Sequence, residues 1–454
     1  MHYHIVGIAG AGMSASANLL LDQGHTVSGS DLTTNQLTLA LAKRGAAIYT
    51  GHAAAHIAGA DVLVATSAVQ PDHPELVAAQ ETGIPLLRRA DLWRDWSQQR
   101  PVIAVAGTHG KTTTTAMIAL VLTRAGFDPG FLIGSESPDL GVNARWGRPD
   151  APLVIEADEY DRTFLALTPK IAVITNIEWD HPDIYQTAAD YEAAFTQFAS
   201  QVQDAILFGG DQGLAAQAYT ARWLTYGFET DRDYRAQLDR YEPAPKNRVG
   251  FNGAPFSILN TRLLLRVPGL HNIHNALAAI AVADLLGVQT TVTAQALGEF
   301  RGTARRFEFK GIASDVTVID DYAHHPTEVQ VTLATARDWA TPGPWRIIAY
   351  LQPHTFSRTR TLWKQWPDAF ANADLVLIGD IYAARESGNP SELARALVGQ
   401  IAQSHPRVAY VGNLANATRV ALKLVRPGDL FLTLGAGDGY RVGEELLAQL
   451  QNRE

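Results

Sequence analysis

One stretch constrains this chain more than any other. An apolar run, Val102-Ile103-Ala104-Val105-Ala106, enters the turn Gly107-Thr108-His109-Gly110 and leaves through Lys111-Thr112-Thr113 into an apolar helical run, Met117 to Leu122. A short apolar strand, a glycine turn and a helix make up the repeating unit of a parallel α/β sheet. The glycines let backbone N–H groups converge on an anion at the helix N-terminus, where the helix dipole favours negative charge. Lys111 then reaches the terminal phosphates of a nucleoside triphosphate, and the Thr112 hydroxyl suits Mg²⁺. The strict phosphate-loop pattern would put its first glycine at position 105, which is Val105 here. A chance Gly-Lys-Thr turn would not explain the strand before it and the helix after it.

A second loop of this kind opens the chain. Gly7-Ile8-Ala9-Gly10-Ala11-Gly12-Met13-Ser14-Ala15 joins a strand to a helix ending near Gly24, and from Gly10 it fits G-x-G-x-x-A. Gly10 and Gly12 allow the close backbone approach a diphosphate needs. Asp31 ends the next strand about 20 residues on, where dinucleotide folds carry a ribose-binding acid. These residues point to a diphosphate without choosing the nucleotide, and a bare strand–helix turn also fits.

Strand and helix patterns alternate in three blocks, which favours parallel sheets with helical crossovers. The polar segment Trp93 to Arg100 and then Pro101 set a boundary near residue 99, and a third block starts around Gly302. The second block holds strands at Leu153–Ile155, Ile171–Ile174 and Ala205–Phe208, then a helix from about Asn272 to Leu286 stopped by Gly287. The third has strands at Val316–Ile319, Ile347–Tyr350, Leu375–Ile378 and Leu430–Leu434. A length of 454 residues agrees with three domains at roughly 150 residues each.

Composition removes several classes. A net charge of −9 argues against nucleic-acid binding or anionic-lipid binding. No run approaches the ~20 apolar residues of a membrane span. Zero cysteines exclude disulfides, thiolate metal sites and a thiol nucleophile. No export signal is visible at the N-terminus, so a cytoplasmic enzyme is expected.

The remaining chemistry sits after strands. Glu156-Ala157-Asp158-Glu159 and Asn176-Ile177-Glu178-Trp179-Asp180-His181 each follow an apolar strand, at the ligand-binding edge of a parallel sheet. Carboxylates there suit Mg²⁺, whereas a lone His181 is more often structural. Asn272 and Asn275 share a helix face, where capping competes with ligand contact. Arg305-Arg306-Phe307-Glu308, Asp320-Asp321-Tyr322-Ala323-His324-His325-Pro326 and Gln352-Pro353-His354-Thr355-Phe356-Ser357-Arg358-Thr359 suit the developing charge of phosphoryl and acyl transfer. Gly435-Ala436-Gly437-Asp438-Gly439 is a weaker phosphate loop or only a turn.

Together with Gly10-Ala11-Gly12-Met13-Ser14 and His271-Asn272-Ile273-His274-Asn275-Ala276, these motifs in this order give the chain a resemblance to the Mur ligases of bacterial peptidoglycan synthesis, over nearly its whole length. The resemblance implies an α/β protein of three domains. Residues 1–98 would be Rossmann-like and bind a UDP sugar, 99–301 P-loop ATPase-like and bind ATP, and 302–454 Rossmann-like and take the amino acid. The branch it most resembles joins L-alanine to the carboxylate of UDP-N-acetylmuramate through an acyl phosphate, giving ADP and phosphate.

By motif match, Gly107, Thr108, His109, Gly110, Lys111, Thr112 and Thr113 would hold ATP, with Asn272 and Asn275 near the adenine and Arg306 and Asp321 on the ATP side of the third domain. Thr112, Glu156 and His181 would bind Mg²⁺. His324, His325, His354 and Arg358 would face the reacting groups, and Gly10, Gly12, Met13, Ser14, Ser30, Asp31 and Ser67 would contact the UDP sugar. A monomer or weak homodimer is expected. Ala9 stands where the family usually has glycine, and no candidate is evident for the carbamylated lysine of other branches. A sibling branch takes a whole recycled tripeptide, but the segments from Gln352 to Thr359 and from Asp380 to Glu386 favour the single amino acid. A nicotinamide oxidoreductase would leave Lys111-Thr112 unexplained.

Overall fold

The computed structural model describes the chain except residues 67–68, 239–253, 259–260, 341–344 and 453–454. Strand His2–Val6 lies at the centre of a five-stranded, wholly parallel sheet, between Thr26–Asp31 and Val62–Ala65, with Ala47–Thr50 and Leu86–Arg88 at the edges. Gly7, at φ +79°, turns the chain from the central strand towards helix Ala11–Asp22. That helix has Gly10 as its N-cap and no side-chain cap, so its first N–H groups stay available.

Val102–Ala106 is buried at every residue because sheet neighbours Leu153–Glu156 and Ile171–Ile174 flank it and helices cover both faces. This is why its sequence is uninterrupted apolar rather than alternating. It belongs to an eight-stranded sheet, parallel apart from the Gly130–Leu132/Ala144–Arg145 pair. Helix Lys111–Arg124 is buried from Thr112 to Leu122 and packs against helix Leu270–Leu285. A small antiparallel sheet, Gln237–Leu238, Ala254–Ile258 and Thr261–Leu265, precedes that second helix.

The helix expected from Asn272 starts two residues earlier, at Leu270. Gly269, at φ +95°, is its N-cap, so neither asparagine caps it. A third sheet has the order Glu308–Ala313, Val316–Asp321, Leu430–Leu434, Ile347–Leu351, Leu375–Gly379, Val408–Gly412. Neither of its two edge strands is among those expected from the sequence. Glu308–Ala313 pairs antiparallel on one side only and is mostly half-exposed, so it carries charges among its apolar residues. Among the described residues no helix is long and apolar enough to cross a membrane.

Candidate active site

The phosphate loop is set by two glycines. A Cβ on Gly107, at φ +131°, would collide with Thr175 Oγ1, and one on Gly110, at φ +83°, would meet Asn275 Oδ1 at 2.6 Å. Lys111 Nζ donates to the loop carbonyls of Gly107 (2.6 Å) and Thr108 (3.2 Å) and to Glu159 Oε1 (3.0 Å), with Glu159 Oε2 in charge contact at 2.7 Å. Glu159 is fully buried. Burial opposes its charge, but Lys111 and His181 outweigh it and hold the carboxyl at about 2.

The Thr112 hydroxyl donates to Glu156 Oε1 at 2.8 Å, and the Gly134 N–H donates to Oε2 at 2.6 Å. Burial still raises the Glu156 pKa. The half-buried Glu156 carboxylate and the Thr112 hydroxyl lie side by side, hard oxygen donors that fit Mg²⁺. His181, at φ +54°, places Nε2 3.5 Å from Glu159 Oε1 and contacts Arg358 through Nδ1 at 3.3 Å.

His109 donates from both ring nitrogens, to Glu178 Oε2 (2.8 Å) and Glu328 Oε1 (3.2 Å). Burial would lower its pKa, but the two carboxylates raise it to about 9. Glu328 comes from helix Pro326–Ala340 of the third sheet, so this imidazolium ties the phosphate loop to the C-terminal region. Thr327 Oγ1 adds a bond to Glu178 Oε1 at 2.7 Å. Arg358 makes a paired contact with Asp180, at 2.8 and 3.2 Å, with both side chains only 6% exposed.

The twin arginines divide their work. Arg305, at φ +60°, bonds Asp320 Oδ2 (2.9 Å) and the Gly435 (2.6 Å) and Gly437 (3.1 Å) carbonyls. Those carbonyls face a cation, so the 435–439 segment is a clamped turn rather than a phosphate loop. Arg306 instead lies towards Glu328 (3.8 Å) and lines a cavity of about 420 Å³ with Asn272, Asn275, Thr113 and Asp321. Asp321 accepts the Phe307 and Ala323 N–H groups, both at 2.7 Å, and burial raises its carboxyl to about 6.

A second cavity, about 560 Å³, holds Lys111, Thr112, Glu156, His181, His324, His354 and Arg358 on one wall or another. His324 Nδ1 contacts the Tyr322 carbonyl at 3.0 Å, which makes Nδ1 the donor and leaves Nε2 as an acceptor. Burial lowers His324 to about 3 and His354 to about 4, so both rings are neutral. A third cavity, about 630 Å³, is lined by Gly10, Gly12, Met13, Asp31, Arg89 and Arg385. The three adjoin: Arg306 and Glu328 line the first and second, Gly12, Arg89, Tyr160 and Arg385 the second and third.

Among the expected side chains, those of Ser14, Ser30 and His325 do not face these cavities. Ser14 is buried with its hydroxyl on the Ala11 carbonyl (3.0 Å), because it lies on the packed side of the first helix. Ser30 is buried with its hydroxyl on Glu75 (2.6 Å). His325 is buried against the His109 ring, with centroids 5.0 Å apart, rather than open to the reacting groups. Ser67 lies outside the described residues. Asp31 spends one oxygen on the Ala9 N–H at 2.9 Å, bracing the glycine loop.

The folded chain also brings in residues that the motifs do not include. Arg89 sits so close that a Cβ on Gly12 would be 2.5 Å from its guanidinium, and it also bonds Asp158 at 3.1 Å. Arg385 bonds the Tyr160 hydroxyl at 2.8 Å across 225 residues. Glu328, in the first turn of its helix, follows His324 by four residues, and Arg385 lies in the Asp380–Glu386 segment singled out in the sequence; Arg89 has no local signal.

Models of the Mur ligase family match three successive parts of the chain: the catalytic domain over residues 2–100, the middle domain over 105–283 and the glutamate ligase domain over 305–437. A UDP-N-acetylmuramate–L-alanine ligase of Roseiflexus sp. (strain RS-1) is 56% identical, with 100% of each chain covered. One of Chloroflexus aggregans is 53% identical over 99% of this chain and 98% of its own. Among solved structures, the UDP-N-acetylmuramate-alanine ligase MurC of Thermotoga maritima superposes with a TM-score of 0.83 at 28% identity, covering 100% of both chains. A murein peptide ligase of Psychrobacter arcticus superposes with a TM-score of 0.74 at 26% identity, covering 100% of this chain and 99% of its own.

Proposed function

Because the chain belongs to the Mur ligase family, we propose that it is an ATP-dependent ligase joining L-alanine to the carboxylate of UDP-N-acetylmuramate in peptidoglycan synthesis. The observation that carries this reading is the run of three adjoining cavities, two along the Gly107–Thr112 loop and one at the first glycine loop, beside 56% identity over the full length to an alanine-adding relative. The UDP sugar would lie along the first glycine loop, with Arg89 over its diphosphate. ATP would lie with its adenosine towards Asn272 and Asn275 and its phosphates at Lys111.

The sugar carboxylate then meets the γ-phosphate in the middle cavity. Attack forms an acyl phosphate and releases ADP; the amine of L-alanine displaces phosphate and forms the amide. Lys111, released from Glu159, stabilises charge on the β- and γ-phosphates, and Arg306 and Arg358 oppose the negative charge that develops there. The amine must lose a proton before or as it attacks. His324, neutral and with Nε2 as acceptor, is suited to orient the attacking amine by accepting one of its N–H bonds, while its low pKa makes it a poor final holder of the proton. Thr112 and Glu156 would hold Mg²⁺, with His181 near a second ion; bound there, the metal neutralises phosphate charge.

A monomer or weak homodimer is the working unit in this reading. A UDP sugar and ATP as substrates go with a cytoplasmic enzyme.

The test is phosphate release from ATP with UDP-N-acetylmuramate, comparing L-alanine with L-alanyl-γ-D-glutamyl-diaminopimelate as acceptor. Release with L-alanine is expected. Release with the tripeptide alone would assign the chain to the recycling branch, and release with neither would refute the ligase reading.

A further inference from the structure

Beneath the first glycine loop lies a cluster that the ligation chemistry does not use. Glu75, on helix Pro74–Thr82, is fully buried. Its Oε2 accepts from Ser30 Oγ (2.6 Å) and His4 Nε2 (3.3 Å), and its Oε1 from His56 Nδ1 (3.1 Å) and the Ala53 N–H (3.2 Å). Four donors fill the lone-pair positions of a carboxylate. Burial opposes the charge, but the His4, Ser30 and His56 bonds hold the carboxyl at about 2.

The neighbouring groups are oriented by the same network. Ser30 gives its proton to Glu75, so His52 Nδ1, 3.0 Å from Ser30 Oγ and 3.7 Å from Glu75 Oε1, is a donor. His73 accepts the Glu75 N–H on Nδ1 at 3.3 Å and packs edge-on against His52. The His56 ring stacks on Tyr49. His52, His73 and Glu75 are close enough to share an ion, but His52 Nδ1 carries a proton and the carboxylate is full, so the cluster is a proton network.

Hydrogen-bond direction then fixes a charge. Ser28 Oγ contacts His4 Nδ1 at 2.8 Å and His2 Nε2 at 2.7 Å, and His2 Nδ1 contacts the Gly59 carbonyl at 2.9 Å. This chain runs between two groups that only accept, the Gly59 carbonyl and the Glu75 carboxylate. Ser28 has one proton to give, so one of the two imidazoles must donate from both nitrogens. The chain therefore holds one proton more than neutral residues supply, opposite Glu75. Asp61 stands at its outer end, accepting the His2 backbone N–H at 2.7 Å.

The network ends on the glycine loop. The Ser30 carbonyl accepts the Gly7 N–H at 2.9 Å and the Ile8 N–H at 3.2 Å, and Asp31 takes the next amide, that of Ala9. We propose that Glu75 is a positioning residue for the first glycine loop, fixing Ser30 through a carboxylate balanced by a proton shared along His2, Ser28 and His4, and thereby setting the affinity for the UDP sugar. This rests on the reading of that loop as the UDP-sugar site.

The experiment is calorimetric titration of the full chain with UDP-N-acetylmuramate, with ADP as a control for an intact central region. Glu75→Gln keeps the shape and removes the charge. It is expected to weaken UDP-sugar binding about tenfold, the order of a lost charge-assisted hydrogen bond, and to leave ADP binding unchanged. His2→Gln, at the outer end of the network, should weaken the sugar in the same direction and also leave ADP binding unchanged, and it decides the matter if the first variant does not fold. Unchanged sugar affinity in Glu75→Gln, or in His2→Gln where the first does not fold, overturns the proposal, and so does an equal loss of ADP binding. Failure of the wild type to bind UDP-N-acetylmuramate would refute the loop's assignment and the inference with it.

Discussion

Truncating Lys111 to alanine should do two separable kinds of damage. The first is chemical: the cation at the β/γ-phosphates disappears, and loss of one transition-state donor of this kind costs about 10²–10³ in turnover. The second is structural. Glu159 is fully buried and Lys111 is its main counter-charge, at 2.7 Å. Removing one partner of a buried pair costs about 3–5 kcal/mol. The carboxyl held at about 2 instead of the ordinary 4.5 points to the same order, ~3 kcal/mol as the balance of burial against Lys111 and His181 together. His181, 3.5 Å from Glu159, remains and also argues for the lower end.

For a region of about 200 residues, ~3 kcal/mol lowers the thermal midpoint by about 6–12 °C. The sign with pH follows. A depressed carboxyl contributes stability above its unfolded value of 4.5 and loses it as pH falls through about 2, so the deficit of the variant should be full at neutral pH and shrink in acid. Adding Glu159→Gln to Lys111→Ala removes the stranded charge. The double variant should recover most of the midpoint and none of the turnover. The assays are phosphate release with all three substrates and a nucleotide-free thermal melt. If the single variant melts like wild type, or the double variant does not recover, the buried-pair reasoning is wrong. Near-normal turnover would refute the phosphate-loop assignment.

Three further outcomes are expected. Gly110→Ala forces a Cβ into Asn275 at φ +83° and should cost about 1–2 kcal/mol while weakening ADP binding, measured by titration. His109, raised to about 9, contributes stability that is full below its ordinary 6.5 and is lost as pH rises through 9; an alkaline drop in melting midpoint should disappear in His109→Gln. His181→Ala should raise the Mg²⁺ concentration needed for half-maximal turnover, with partial rescue at high Mg²⁺; an unaltered Mg²⁺ dependence would remove His181 from the metal site.

Local patterns make the two glycine loops legible in the sequence itself. Apolar strand, glycine turn and helix are determined by neighbours in the chain, and Gly107, Gly110 and Lys111 carry their reasons within a few residues. The buried strands are legible for the same reason, whereas the half-exposed edge strand Glu308–Ala313 is not, since mixed exposure blurs its periodicity. Tertiary structure alone decided which polar residues face a cavity. Arg305 and Arg306 are adjacent and chemically alike, yet one clamps a turn and the other lines a cavity with Asn272 and Asn275. Ser30 and Asp31 are likewise adjacent on a strand, whose alternation sends one into the buried network and the other to the loop. Arg89 reaches the site with nothing in its own neighbourhood to mark it, and Arg385, within the Asp380–Glu386 segment, meets Tyr160 only in the folded chain. Short-range sequence sets the backbone's turns, but the partner of a charged side chain is chosen by packing between distant elements, and that is a property of the folded chain.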